Sequence, residues 1–255
     1  NKDAFQTLRD NYGINTIRLA MYTNKSEGYG PDAVNKVREG VKYATELGMY
    51  VIIDWHILND GNPNQHKSEA KKFFTKMSKK YGGQKNVIYE ICNEPNGNVT
   101  WNKQIKPYAK TIVKTIRKHS KNAVIVIGTP TWSQDVDVVA QSPLKGKNLM
   151  YALHFYAGTH KKWNQEKLKT AHKKGLPVMV TEFSICDASG NGALDKASGN
   201  QWLRLLDRYN ISYTAWSLCN KNESSALIAS TCSKTSGWTN GDLSAAGKWY
   251  FNKTK

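Results

Sequence analysis

Two apolar runs end in a carboxylate. Val87-Ile88-Tyr89-Glu90-Ile91-Cys92-Asn93-Glu94-Pro95 carries Glu94 just before a proline, and Val178-Met179-Val180-Thr181-Glu182-Phe183 delivers Glu182 near its end. Side chains alternate along a strand, so Val178 and Val180 share the face of Glu182, and Cys92 and Glu90 share parity with Glu94. Two carboxylates brought to one mouth from separate strands match the needs of glycosidic-bond hydrolysis. One protonates the leaving oxygen, and the other attacks the anomeric carbon. Either glutamate alone is equally well a solvated surface residue. The pair gains weight from its company. Arg18 lies in Thr16-Ile17-Arg18-Leu19-Ala20-Met21, His56 closes Asp54-Trp55-His56, His154 and Tyr156 sit near the end of Leu153-His154-Phe155-Tyr156, and Trp216 falls late in Tyr213-Thr214-Ala215-Trp216-Ser217.

These residues need elements that bring them to one end. Apolar, β-branched runs predict strands at Thr16–Met21, Met49–Trp55, Val87–Cys92, Val124–Gly128, Leu149–Phe155, Val178–Phe183 and Ser212–Leu218. Between them lie Lys-rich stretches with apolar residues three and four apart, such as Ala33-Val34-Val37-Val41-Ala44-Leu47 and Ile105-Ala109-Ile112-Val113-Ile116. Strands this apolar, each separated by a helix, predict a parallel sheet with a covered outer face. Gly13, Gly48, Gly82 and Gly175 follow helical runs and read as helix stops. A (β/α)8 TIM barrel is favoured over a doubly wound sheet because a barrel gathers every strand's C-terminus around one mouth. No Gly-x-Gly-x-x-Gly or P-loop follows any strand. The chain opens with a helix, Asp3–Asn11, that should follow a strand, so the first β-strand is read as missing. That reading leaves Thr16–Met21 and Ser212–Leu218 flanking a gap, with Arg18 and Trp216 expected to be displaced most.

The 255 residues suit one catalytic domain, 1–255, and 39% hydrophobic content is enough for a sizeable core. Eight Trp and thirteen Tyr supply faces that suit sugar rings as well as cores. The formal charge of +17 admits an acidic or nucleic-acid partner, but the lysines scatter over outer helix faces, as in Lys67–Lys72 and Lys110–Lys118. Neither a membrane-length apolar run nor a signal-peptide core occurs. The expected location is extracellular, with any export signal outside these residues. Four cysteines without a C-x-x-C argue against a zinc site and a disulfide scaffold. Cys92 and Cys219 read as buried thiols, and Cys219 with Cys232 forms a possible pair across a loop.

Taken in order, Asn15–Tyr22, Tyr50–His56, Val87–Pro95, Gly128-Thr129 with Trp132–Asp135, Leu153–His160, Val180–Glu182 and Trp216–Glu223 resemble family 5 glycoside hydrolases of the bacterial endoglucanase branch. The resemblance runs over almost the whole chain. It implies a retaining endo-β-1,4-glucanase, with Glu94 as acid/base and Glu182 as nucleophile. Arg18 and Tyr156 would contact the nucleophile, Asn93 the sugar 2-hydroxyl, and His56 and His154 the reacting subsite. Trp216 would be the stacking floor and Trp132 a leaving-side surface, with Tyr22, Lys221 and Glu223 serving sugars on the non-reducing side. No metal or cofactor is required. The implied partner is a β-1,4-glucan polysaccharide or oligosaccharide, with neither nucleic acid nor membrane, and the implied catalytic domain is a monomer. Other β-glycanases of the family, a silent carbohydrate-binding protein and a nucleic-acid module are the competing readings. The chain departs from the family at its first strand and at Phe183-Ser184, where Trp-Gly is usual.

Overall fold

Seven parallel strands follow one another around a single sheet in chain order in the computed structural model, which describes residues 1–254. They are β1 (Thr16–Tyr22), β2 (Tyr50–His56), β3 (Val87–Glu90), β4 (Ile125–Ile127), β5 (Leu149–Tyr156), β6 (Val178–Ser184) and β7 (Tyr213–Ala215). Helices α1 (Lys2–Tyr12), α2 (Pro31–Glu46), α3 (Lys67–Tyr81), α4 (Lys106–Arg117), short α5 (Pro130–Ser133) and α6 (Val136–Val139), α7 (Lys162–Lys173), α8 (Lys196–Arg208) and α9 (Ala245–Phe251) accompany them. The architecture is the (β/α)8 type, with seven strands among the described residues.

The pattern explains the layering. In α3, Phe73, Phe74 and Met77 face the sheet while Lys71, Lys72, Lys76, Lys79 and Lys80 face solvent, as their three-and-four spacing predicts. Burying each such side chain contributes about 1.5–3 kcal/mol. The barrel interior is a separate, smaller core of Ile52, Val126, Ala152 and Met179, from β2, β4, β5 and β6. These residues fill the lower barrel, so the polar side chains nearer the strand ends are carried above them.

Helix α1 starts where the Asn1 side chain accepts from Ala4 N–H and stops at Gly13, φ 68°. Gly48 and Gly175 are also left-handed, but Gly82 has φ −59°. Gly82 is glycine for a different reason: a Cβ there would meet His119 O at 2.3 Å.

The last predicted strand is shorter than the sequence suggests, because the chain leaves the sheet after Ala215. Strands β1 and β7 lie at opposite ends of the strand order, although their Cα atoms approach within 8 Å in places. A cavity of about 320 Å³ lies between them, lined by Ile17, Leu19, Ala215, Trp216, Leu227 and Phe251 among others. Arg18 and Trp216, the two residues expected to be displaced most, are each anchored. Arg18 is held by four side chains, and Trp216 N–H donates to Phe183 O at 2.8 Å. The four cysteines are free thiols, so Cys219 and Cys232 are not paired, and Cys219 is half-buried instead of sealed. No helix among the described residues is long and apolar enough to cross a membrane.

Candidate active site

Strand register sets the site. Tyr22 pairs with His56 between β1 and β2, Asp54 with Glu90 between β2 and β3, and His154 with Glu182 between β5 and β6. The segments leaving β3, β4 and β7 add Asn93 and Glu94, Trp132, and Trp216 with Lys221 and Glu223. A cleft of about 640 Å³ results, lined by Tyr22, His56, Glu94, Trp132, His154, Tyr156, Glu182, Trp216, Lys221 and Glu223. Of the residues singled out from sequence, Arg18 and Asn93 alone lie outside this lining; both are directly beneath it. Leu58, Gln134, His160 and Ala188 also line the cleft and had been given no role.

Glu182 is buried and accepts from two donors, Arg18 Nη1 at 2.9 Å and the Tyr156 hydroxyl at 2.6 Å. Burial opposes its ionisation, but the charges of His154, Arg18 and His56 and the Tyr156 hydrogen bond outweigh burial and hold its carboxyl below the usual range. Glu94 is held in the opposite direction. Burial and the nearby charge of Glu182 raise it, against the weaker pull of His154 and His56. Oxygens of the two carboxylates approach within 4.8 Å. At such separation both cannot ionise cheaply, so one proton is retained.

The floor beneath is ionic. Arg18 Nε donates to Glu90 Oε2 at 2.8 Å, and Nη2 reaches Glu90 Oε1 at 3.1 Å, Asn93 Oδ1 at 2.6 Å and Asp54 Oδ2 at 3.0 Å. Asn93 is fully buried, and its amide nitrogen donates to Ile57 O at 2.9 Å and faces His56 Nε2 at 3.4 Å. Asp54 Oδ2 lies 2.6 Å from His56 Nδ1 and fixes the orientation of the ring. Trp216 stacks parallel on His56, with centroids 5.4 Å apart and planes at 11°, and Tyr22 packs on the same imidazole at 4.6 Å.

Trp132 is half exposed and stands on an unusual backbone. Thr131, Trp132 and Ser133 have φ values of 57°, 53° and 56°. Three consecutive non-glycine residues in the left-handed region cost roughly 1–2 kcal/mol each. The turn is clasped to the Glu94 segment: Trp132 N–H donates to Pro95 O at 3.0 Å, and Ser133 Oγ donates to Asn93 O at 2.6 Å.

Asp54, Glu90 and Thr181 are buried polar residues under the cleft that sequence reasoning left without a role. For Asp54 and Glu90 a signal was present, a charge inside an otherwise apolar strand. Thr181 carried none. Glu94, His154 and Glu182 each bring a donor atom within 4.8 Å of the others, close enough to converge on a cation. Each already has protein partners: His154 for Glu94, Thr181 for His154, Arg18 and Tyr156 for Glu182.

A family model described as cellulase (glycosyl hydrolase family 5) matches residues 1–222. An endoglucanase of Clostridium saccharobutylicum is 49% identical over 250 residues, covering 97% of this chain and 56% of the relative. Endoglucanase 5 of Pectobacterium carotovorum subsp. carotovorum is 47% identical over 251 residues, with 98% and 50% covered. The chain thus spans about half the length of these curated relatives. Among solved structures, the catalytic domain of Thermobifida fusca endoglucanase Cel5A (E5) in complex with cellotetraose superposes with a TM-score of 0.94 at 32% identity. That match covers 100% of this chain and 86% of the other.

Proposed function

Because the chain belongs to glycosyl hydrolase family 5, we propose that its cleft hydrolyses internal β-1,4-glucosidic bonds of cellulose and related glucans with retention of configuration. The observation that carries this reading is the pair Glu94 and Glu182, close together and pushed in opposite directions by their surroundings. A separation near 5 Å suits direct attack by one carboxylate, whereas inversion needs a wider gap that admits water.

In this reading Glu182 is the nucleophile. Its oxygen attacks the anomeric carbon while Glu94 passes its proton to the departing glycosidic oxygen, so the bond breaks to an alcohol and a glycosyl ester. Glu94, now a carboxylate, takes a proton from water, which attacks the same carbon and releases Glu182. Arg18 and Tyr156 hold Glu182 ionised and aimed. Asn93 reaches the sugar 2-hydroxyl by giving up its long contact to His56 Nε2, and His56 and His154 shape the reacting subsite. Trp216 is the stacking floor of the reacting subsite, Tyr22, Lys221 and Glu223 bind sugars on the non-reducing side, and Trp132 the leaving side. The steps require no cofactor. We also assign residues 1–255 to one catalytic domain, supported by the one main core that runs from Ala4 to Phe251. One chain supplies every site residue, which supports action as a monomer. A polymeric substrate supports action outside the cell.

The test is proton NMR of soluble β-1,4-glucan during digestion. New reducing ends appear first as the β-anomer and then mutarotate. Release of the α-anomer first, or no release, overturns the reading.

A further inference from the structure

Under the cleft floor, a chain of buried polar atoms ends on the imidazole that touches Glu94. Glu90 is fully buried on β3, and Thr181 is buried on β6. The Thr181 hydroxyl donates to Glu90 Oε1 at 2.7 Å, and His154 Nε2 lies 2.8 Å from that same hydroxyl oxygen. An ionised carboxylate accepts only, so the single Thr181 proton is committed to Glu90. The hydroxyl then has only lone pairs to offer His154, and Nε2 must bring the hydrogen. The other ring nitrogen, Nδ1, lies 2.9 Å from Glu94 Oε1.

Resting on the assignment of Glu94 as acid/base, we propose that Glu90 and Thr181 are positioning residues of the reaction. They pin one His154 proton on Nε2 and so leave Nδ1, with the second proton of the imidazolium, to hydrogen-bond Glu94, whose own acid proton is separate. Neither residue lines the cleft. When Glu94 gives its proton to the leaving oxygen, Nδ1–H donates to the new carboxylate. The imidazolium that does so is stabilised by the Glu90 charge, 3.7 Å from Nε2.

The surrounding charges agree. Facing the Glu94–His154 pair are Arg18 from β1, Asp54 and His56 from β2, Glu90 from β3, Tyr156 from β5 and Glu182 from β6. Burial disfavours the imidazolium, but the Glu90 carboxylate close by, the hydrogen bond to Glu94 and the charge of Glu182 outweigh it, raising His154 to about 9. Burial likewise opposes the Glu90 charge, yet Arg18 and His154 bring Glu90 down to about 2. The pair Glu94–His154 therefore titrates as a unit, and its last proton leaves late.

The test is the pH profile of kcat/KM on cello-oligosaccharides, with variants confirmed as folded by circular dichroism. Thr181→Val keeps the β-branched shape and removes the hydroxyl. It lowers kcat roughly tenfold with KM unchanged, and it moves the alkaline limb toward acid by about one pH unit. Thr181→Ser restores both, and Glu90→Gln moves the limb in the same direction as Thr181→Val. An alkaline limb that stays in place in folded Thr181→Val overturns the positioning role. A wild-type protein inactive on β-1,4-glucan at every pH overturns instead the functional reading beneath it. Independently of any variant, imidazole nitrogen NMR of the unliganded protein shows His154 protonated on Nε2; a proton on Nδ1 with Nε2 bare overturns the proposal.

Discussion

The Tyr156 hydroxyl reaches Glu182 Oε1 at 2.6 Å from the neighbouring strand, opposite the side on which Arg18 holds Oε2. The two donors therefore bracket one carboxylate, and each oxygen has one partner. The phenol loses its proton less readily than usual, because burial and then the Glu182 charge both disfavour a phenolate. It thus stays a donor throughout the working pH range.

Tyr156→Phe removes that donor without emptying the site. The Tyr156 hydrogen bond lowers the Glu182 pKa, so its loss lets the pKa rise. The acid limb of kcat/KM moves to higher pH, and kcat falls about tenfold, the equivalent of one hydrogen bond of about 1.4 kcal/mol. Steady-state kinetics across pH measure both effects, and an unmoved acid limb contradicts the bracketing role.

Glu94→Gln separates the two steps of bond cleavage. Cello-oligosaccharides need leaving-group protonation, so their turnover falls by ~10²–10⁴. An aryl cellobioside with an acidic phenol needs little help and keeps its glycosylation rate. Equal losses on both substrates count against Glu94 as the acid.

Trp216→Ala removes the ring stacked on His56. If stacking on sugar supplies about 1–2 kcal/mol, turnover of glucan falls roughly tenfold. Kinetics unchanged within error identify the ring as filler for the cavity between β1 and β7, which it also lines.

Arg18→Met leaves Asp54, Glu90 and Glu182 without their shared cation. Removing one partner from a buried ionic cluster costs about 3–5 kcal/mol, and thermal unfolding reports it. At roughly 2–4 °C per kcal/mol, the Tm falls by about 6–20 °C. A Tm close to wild type shows that the three carboxylates are neutralised by protons instead.

Stability itself depends on pH at both ends. His154 is raised from 6.5 to about 9 in the fold, so its contribution is complete below 6.5 and disappears as pH climbs through 9. Glu90 is lowered from 4.5 to about 2, so its contribution is complete above 4.5 and disappears as pH falls toward 2. Melting curves between pH 3 and pH 10 show a plateau near neutrality with losses on each side. In Glu90→Gln the acid-side loss is smaller.

Much of the site is legible in sequence because charge at the end of an apolar strand is conspicuous, and Glu94, Glu182, His56 and His154 all stand there. Strand type and order follow from the same runs. What escaped depends on partners far along the chain. Thr181 is ordinary in a strand until His154 and Glu90 are seen on either side of its hydroxyl. Ser212–Leu218 reads as one strand, yet the chain turns away after Ala215 to pair Ser217 N–H with Ser225 O at 3.0 Å. Thr131, Trp132 and Ser133 contain no glycine or asparagine, so no residue type announces their left-handed turn.

That turn has a consequence for how such proteins can be recombined. Its unfavourable backbone is held by acceptors at Asn93 and Pro95, so the stretch around Trp132 and the stretch around Glu94 form one heritable part split across two strand ends. A chimera that imports either stretch from a differently shaped homologue breaks the clasp and releases Trp132 from its aim. A chimera that imports both together carries a ready-made half of the cleft into a new barrel.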